Sequence, residues 1–178
     1  MKGIARPDSG HKMLRALVYI LGVLLSSLGY AEDEAQLKAA FVYNFTKYVT
    51  WPLATEQASG QLRVCVSGKG AYTDELSQLA GREVRTFRIE VVNLSKGEAL
   101  DGCQVIYVTG EDVRKILPKT QDKAILTISD DPDFVERGGI IGLITEGRRI
   151  RFDINLGRAK ASQLQISSRL LQLARRVE

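Results

Sequence analysis

Short apolar runs recur along the chain and predict a set of β-strands. Residues 61–67 alternate with a period of two, which places Leu62 and Val64 on one face and Cys65 on the other. Residues 103–108 are apolar almost throughout, as in a strand that is covered on both faces. Further strands are predicted at Glu83–Leu94, Ala124–Ile128, Ile140–Ile144 and Arg148–Ile154, the last two forming a hairpin.

Helical spacing lies before, between and after these strands. The first helix is predicted to end at Trp51-Pro52, because the residue before a proline resists the helical conformation. Its apolar stripe consists of Leu37, Ala40, Phe41, Phe45 and Tyr48, together with Asn44. Shorter helices are predicted at Tyr72–Ala80, Glu111–Leu117, between Asp130 and Gly138, and at Leu156–Ser162. A last helix is predicted at Ser168–Val177, capped by Ser167, with Leu170, Leu171, Ala174 and Val177 inward.

Strands that alternate with helices predict one layered α/β domain. We expect a mixed, mostly parallel sheet flanked by helices, with long N-terminal and C-terminal helices.

The beginning of the chain predicts a secretion signal that is cleaved. An apolar run of 13 residues, Ala16–Leu28, follows basic residues, and Gly29 and Ala31 form the small-x-small pattern of a signal peptidase site. The alternative is a retained membrane anchor, but a spanning helix needs about 20 apolar residues. We therefore predict a signal peptide at 1–31 and an exported, periplasmic domain at 32–178.

Charge and histidine content narrow the chemistry of the exported part. The chain has 25 Lys and Arg residues against 21 Asp and Glu, and the leader holds four of these bases and one of these acids. The exported part therefore has a net charge near +1, which gives no electrostatic footprint for nucleic acid. The single histidine, His11, lies in the leader, so histidine-based nucleophilic catalysis and His-ligated metals are excluded from the exported part. No cofactor is predicted.

Export changes the interpretation of Cys65 and Cys103, the two cysteines of the chain. An even pair in an oxidising compartment predicts a disulfide that closes a loop of about 38 residues. The alternative is two buried free thiols that never pair with each other.

Three further patterns offer candidate chemistry beside a structural alternative. The Ser67–Gly70 turn follows a strand, as phosphate-binding turns do, but it lacks a complete motif, which favours a plain turn into a helix. The acidic residues Asp130, Asp131 and Asp133 suit a divalent cation, but the first turn of a helix is the favoured interpretation. The basic residues Arg148, Arg149 and Arg151 suit an anionic ligand or an acidic partner, but a solvated strand face is favoured.

Aromatic side chains gather at the end of the first helix. Tyr48 and Trp51 predict a ligand pocket or a protein contact if the indole is exposed. Packing in the core is the alternative.

Several segments resemble the YfiR family. Residues 37–52, Leu-Lys-Ala-Ala-Phe-Val-Tyr-Asn-Phe-Thr-Lys-Tyr-Val-Thr-Trp-Pro, are similar to the opening helix of that family, which ends in tryptophan-proline. Residues 152–156 and 164–174 are similar to its closing segment, and Gly138-Gly139 fits its glycine-glycine turn before a strand. The resemblance covers essentially the whole exported part.

The resemblance implies a periplasmic α/β protein without catalytic activity. Such a protein binds the periplasmic sensor domain of an inner-membrane diguanylate cyclase and represses it, which lowers cyclic di-GMP and biofilm formation. The resemblance also implies a homodimer and a disulfide that supports the fold. Because the family name also covers proteins that accompany histidine kinases, a sensor kinase is the alternative partner.

We expect the partner surface to include Gln163, Leu164, Gln165, Ile166 and the neighbouring Arg169. A short extended stretch between two helices cannot bury both of its faces. Leu164 or Ile166 is therefore expected to be partly exposed.

Two other classes of function are kept as hypotheses. One is a periplasmic small-molecule receptor that feeds a histidine kinase or another sensor, because the strand ends of α/β domains favour ligand clefts. The other is an enzyme that uses carboxylates, such as Asp130 with Asp133 or Glu146, although no spacing in the sequence demands it.

Overall fold

A computed structural model describes residues 34–57, 60–95 and 99–178. Residues 35–178 belong to one structural unit. The predicted signal peptide and its cleavage site lie outside the described residues.

Helices and strands follow one another in short elements. In chain order they are α1 (residues 34–48), β1 (Val49–Thr50), α2 (Leu53–Gln57), β2 (Gln61–Ser67), α3 (Ala71–Ser77), β3 (Glu83–Val84), β4 (Phe87–Leu94), β5 (Val105–Val108), α4 (Val113–Ile116), β6 (Leu126–Ser129), β7 (Ile141–Glu146), β8 (Arg149–Ile154), α5 (Leu156–Ala161), β9 (Gln165–Ile166), α6 (Ser168–Leu173) and β10 (Arg176–Val177). Two 3₁₀ helices, Gly110–Asp112 and Leu117–Thr120, flank α4.

Eight of the strands form the main sheet, in the order β10-β8-β7-β6-β5-β2-β4-β3. β2 pairs in parallel with β4 and β5, and parallel pairing continues through β6 to β7. β8 returns antiparallel to β7 through a tight turn that contains Gly147 at φ +60°. At the two edges, β3 is antiparallel to β4 and β10 is parallel to β8. The predicted mixed, mostly parallel sheet and the predicted hairpin are confirmed.

Hydrophobic clusters cover both faces of this sheet. The larger cluster contains Leu62 and Val64 of β2 together with Phe45 of α1. The smaller cluster contains Cys65 of β2 and Ile106 of β5. The alternation predicted for residues 61–67 is therefore confirmed, since successive side chains of a strand point to opposite faces.

A small second sheet joins the two ends of the domain. β1 pairs antiparallel with β9, with Val49 opposite Ile166 and Thr50 opposite Gln165. The backbone amide of Ser167 then donates to the carbonyl of Tyr48 at 2.9 Å. These bonds connect the end of α1 with the start of α6.

The predicted long C-terminal helix is wrong. α6 ends at Leu173, and the chain continues as the edge strand β10. The amide of Arg175 donates to the Phe152 carbonyl at 2.8 Å, and the amide of Glu178 donates to the Ile154 carbonyl at 2.9 Å. Backbone bonds to β8 therefore replace helical bonds, and Val177 is 42% exposed rather than inward.

The apolar stripe predicted for the first helix is buried only in part. Phe45 is 1% exposed, and Phe41 and Tyr48 pack half-buried against the larger cluster, whereas Leu37 is 39% exposed and Ala40 is exposed. Ala35, Ala39 and Val42, which lie outside the predicted stripe, are buried. Because α1 carries apolar side chains around most of its circumference, the periodicity does not select the face that meets the sheet.

Three local predictions differ from the structure. The segment between Asp130 and Gly138 contains turns and no helix, and Asp133 has φ +59°, outside the helical region. The predicted strand at 83–94 is divided into β3 and β4 by a turn in which Arg85 has φ +53°. Pro118 lies inside the 3₁₀ helix Leu117–Thr120 instead of ending a helix, as its position in a first turn permits.

Candidate functional site

The residues predicted to bind a partner form a short exposed ridge after α5. Gln163 leaves the helix at φ +58°, and Gln165 and Arg169 are exposed. Ile166 is half-buried and packs against the larger hydrophobic cluster. Leu164 is only 2% exposed, so of the two apolar side chains named in the expectation it is Ile166 that is partly exposed. Pairing of β9 with β1 gives the segment a side that faces the core, and Leu164 lies on that side.

Hydrogen bonds hold this ridge on both sides. The amide of Leu164 donates to the carbonyl of Ala159 at 2.9 Å, which ties the ridge to α5. The hydroxyl of Ser167 accepts from the amide of Arg169 at 3.2 Å and caps α6, as predicted. The exposed side chains are thus presented from a backbone that is fixed before any partner binds.

Trp51 lies in the core. Its side chain is 3% exposed and its indole Nε1 donates to the carbonyl of Gln104 at 3.1 Å. Tyr48 is half-buried and packs against the larger cluster. The alternative of core packing therefore describes Trp51, and neither aromatic residue lines the cleft described below.

Cys65 and Cys103 form a disulfide, with their Cα atoms 5.8 Å apart. Cys65 lies on β2 and is fully buried, and Cys103 lies two residues before the neighbouring strand β5. The Cα separation is within the range that a disulfide requires. The alternative of two unreacted thiols does not hold in this structure, and the bond reinforces two adjacent strands at the centre of the sheet.

A buried ion pair at the edge of the sheet was missed by the sequence analysis. Asp153 on β8 is 2% exposed and accepts two hydrogen bonds from Arg175, at 2.9 Å and 2.7 Å. Arg176 approaches the same carboxylate at 3.2 Å and also pairs with Glu136 and Glu178. No local sequence pattern predicts this pair, because Asp153 and Arg175 are 22 residues apart in the chain.

The same contacts shift the pKa values of the carboxyl groups in this cluster. Hydrogen bonds from Arg175 are the main cause that lowers the pKa of Asp153, against the opposing effect of its burial. The hydrogen bond from Arg176 likewise lowers the pKa of Glu136. These carboxylates therefore remain ionised at neutral pH, which suits a structural clamp and not an acid catalyst.

The basic run on β8 lies on a solvated strand face. Arg149 and Arg151 are exposed, while Ile150 and Phe152 between and after them are buried. Arg151 lies 3.9 Å from Glu146 on the paired strand. This arrangement agrees with the solvated strand face that the sequence favoured.

The carboxylates of the acidic run pair with different basic residues. Asp130 pairs with Lys38 at 2.6 Å, and Asp131 pairs with Arg137 instead. Across residues 34–57, 60–95 and 99–178, no three Cys, His, Asp or Glu side chains are arranged as ligands of one metal ion.

The turn after β2 borders a cleft at the carboxyl ends of β2 and β4. Gly68 has φ +109°, and a Cβ atom there would lie 2.7 Å from the hydroxyl oxygen of Tyr72. The turn does lead into a helix, α3, as the favoured interpretation held. It also lines a cleft of about 1450 Å³, and its incomplete motif did not predict that cleft.

A search of the described residues for a helix with the length and apolarity needed to cross a membrane finds none.

The fold and its sites define a disulfide-bonded α/β protein with a fixed exposed ridge. A family model described as YfiR/HmsC-like matches residues 35–175, and the chain belongs to that family. The family is regulatory and non-catalytic, and its members are periplasmic. Membership implies a regulator whose partner is a membrane signalling protein.

Proposed function

We propose that this protein is a periplasmic regulator that binds the periplasmic sensor domain of an inner-membrane diguanylate cyclase and represses it. Repression lowers cyclic di-GMP and, through it, biofilm formation. The observation that carries the proposal is the family match over residues 35–175. In this proposal the chain is exported by a signal peptide at 1–31, acts as the domain 32–178, and forms a homodimer.

The ridge after α5 supports the proposal as a contact surface. Gln163, Gln165 and Arg169 present two amides and one guanidinium to solvent, and the half-buried Ile166 adds apolar area beside them. Arginine is enriched where protein interfaces concentrate their binding energy. A ridge that is held by backbone bonds loses little conformational entropy when a partner docks.

The disulfide supports the proposed compartment. Such bonds persist in oxidising compartments and are rare in the reducing cytosol. Cys65 and Cys103 are bonded in the structure, which agrees with a protein that works after export.

The first experiment is crosslinking of the tagged protein in the periplasm of its own host, followed by identification of what is recovered. The proposal expects an inner-membrane protein with a periplasmic domain and a cyclase output, and a rise in cyclic di-GMP when the gene of the regulator is deleted. A fall in cyclic di-GMP on deletion, or recovery of a histidine kinase instead, contradicts the cyclase assignment.

The contact surface is tested separately with paired charge changes. Gln165→Glu with Arg169→Glu should abolish recovery of the partner, while the free energy of unfolding stays within about 0.5 kcal/mol because both side chains are exposed. Gln121→Glu with Arg114→Glu makes the same charge change at two exposed positions, one in α4 and one just after the 3₁₀ helix Leu117–Thr120, and should leave recovery unchanged. Equal recovery with both variants shows that the partner binds elsewhere.

A further inference from the structure

The cleft beside the Ser67–Gly70 turn lies where parallel strands end. Ser67, the last residue of β2, is opposite Leu94 of β4 and Val108 of β5. The cleft is lined by residues at the ends of β2 and β4 and by residues of the helical segment that follows β5. In open α/β sheets the crevice at the carboxyl ends of parallel strands is the usual place for a ligand. A volume of about 1450 Å³ admits a small molecule with room for water.

Positive charge dominates the walls of this cleft. Lys69 follows β2, and Lys115 and Lys119 lie in and after α4. Among the described lining residues Asp112 is the single carboxylate, so their formal charge is +2. Asp112 accepts a hydrogen bond from the Ser67 hydroxyl at 2.7 Å and lies 3.7 Å from the ammonium of Lys115. Within the described ranges Lys69 and Lys119 have no carboxylate partner.

Uncharged groups complete the lining. Leu94, Leu100 and Ile116 form an apolar wall. The hydroxyl oxygen of Thr73 is buried in the same lining and has no hydrogen-bond partner among the described residues.

Hydrogen bonds from behind the cleft fix the turn that lines it before any ligand arrives. The hydroxyl of Tyr72 donates to the carbonyl of Lys69 at 2.8 Å and lies 2.7 Å from the hydroxyl oxygen of Thr109. Thr109 in turn donates to the carbonyl of Ser67 at 3.3 Å. These bonds join the turn after β2 to the loop after β5, so the two loops need little rearrangement to form a binding site.

We propose that this cleft binds a small phosphate monoester that carries an apolar substituent. A phosphate monoester has a charge between about −1.5 and −2 at neutral pH, close to the opposite of the lining charge. Lys69 and Lys119 would contact the phosphate as two positive groups without competing carboxylates, and the apolar substituent would lie against Leu94 and Leu100. The proposal concerns a second site, and it holds or fails independently of the partner named above.

The test uses the full chain as the host produces and processes it, with phenyl phosphate as the probe in isothermal titration calorimetry. Saturable binding that weakens as salt is raised is expected, because the contacts are ionic. Lys69→Gln and Lys119→Gln should each weaken binding about twofold to fivefold, as for single solvated ion pairs, and the double variant about tenfold. Thermal unfolding of each variant should stay unchanged, since both side chains are exposed.

Matched probes and a matched variant make the result decisive. Lys160→Gln removes one positive charge from an exposed position of α5 that does not line the cleft, and it should leave binding unchanged. Phenol, which lacks the phosphate, should not bind. Absence of saturable binding by phenyl phosphate, equal weakening by Lys160→Gln, or equal binding of benzoate overturns the proposal.

Discussion

Arg175 donates two parallel hydrogen bonds to Asp153, from Nε to Oδ1 at 2.9 Å and from Nη2 to Oδ2 at 2.7 Å. This pair fastens the last strand, β10, to β8 at the edge of the main sheet. The side chain of Asp153 is 3% exposed, whereas that of Arg175 is 41% exposed. The two-pronged geometry is the stronger form of such a contact.

Asp153→Ala should destabilise the protein by about 2 kcal/mol, because it removes charged hydrogen bonds from a buried site and leaves Arg175 without its main partner. Urea unfolding followed by circular dichroism measures the change. Asp101→Ala, at an exposed ion pair with Lys123, is the matched control and should change stability by less than about 0.5 kcal/mol. Equal effects of the two variants would show that β10 is held by its backbone bonds alone.

The pH dependence of stability should follow the same pair. The folded pKa of Asp153 is lowered by Arg175, so its contribution is complete above the pKa of the unfolded state, about 3.9. The contribution is lost as pH falls through the still lower folded pKa. Wild type and Asp153→Asn should therefore differ most in unfolding free energy at neutral pH and converge in acid. A constant difference from pH 7 to pH 2 contradicts this assignment.

Loss of the disulfide should cost more than any single ion pair. Cys65 and Cys103 close a loop with a sequence separation of 38 residues, for which chain-entropy reasoning predicts about 4 kcal/mol. We expect the double variant Cys65→Ala with Cys103→Ala to lose about this much in urea unfolding. Adding a reductant should lower the stability of wild type and leave the double variant unaffected. A reductant effect on the double variant would place the cause outside this bond.

Two glycines should respond differently to alanine, since only one of them would lose stability. A Cβ atom at Gly139 would overlap the ring of Phe134, so Gly139→Ala should destabilise the protein by about 1–3 kcal/mol. Gly157 lies in α5, and its nearest contact to an added Cβ is an ordinary 3.5 Å. Gly157→Ala should be neutral or stabilising by up to about 1 kcal/mol. Thermal unfolding of both variants measures the contrast, which equal destabilisation of the two would contradict.

Features that depend on near neighbours in the chain were predictable. The strand at 61–67 was predicted with its bounds and both faces, because a period of two is legible within seven residues. The hairpin of β7 and β8 was predicted from two apolar runs that flank a glycine turn. The cap of α6 at Ser167 follows from local chemistry in the same way.

Features that depend on distant parts of the chain were not predictable. Residues 176–177 have the composition of a helix end, yet they form a strand because β8 offers an unpaired edge. Leu164 is buried because β1, more than a hundred residues earlier in the sequence, pairs with the segment that follows it. The cleft lined by Lys69, Lys115 and Lys119 forms only where the segment after β2 meets the segment after β5 in the folded domain.

The sequence by itself determined the class of the fold, the export prediction, the pairing of the two cysteines as a hypothesis and the family resemblance, because each is written in local composition or spacing. Tertiary structure alone decided which face of α1 is buried, which residues of the ridge reach solvent, and that Asp153 meets Arg175. The physical reason is that burial and ion pairing depend on which strands lie next to each other in the sheet. Packing of distant segments decides that order, and the sequence of residues within one segment does not contain it.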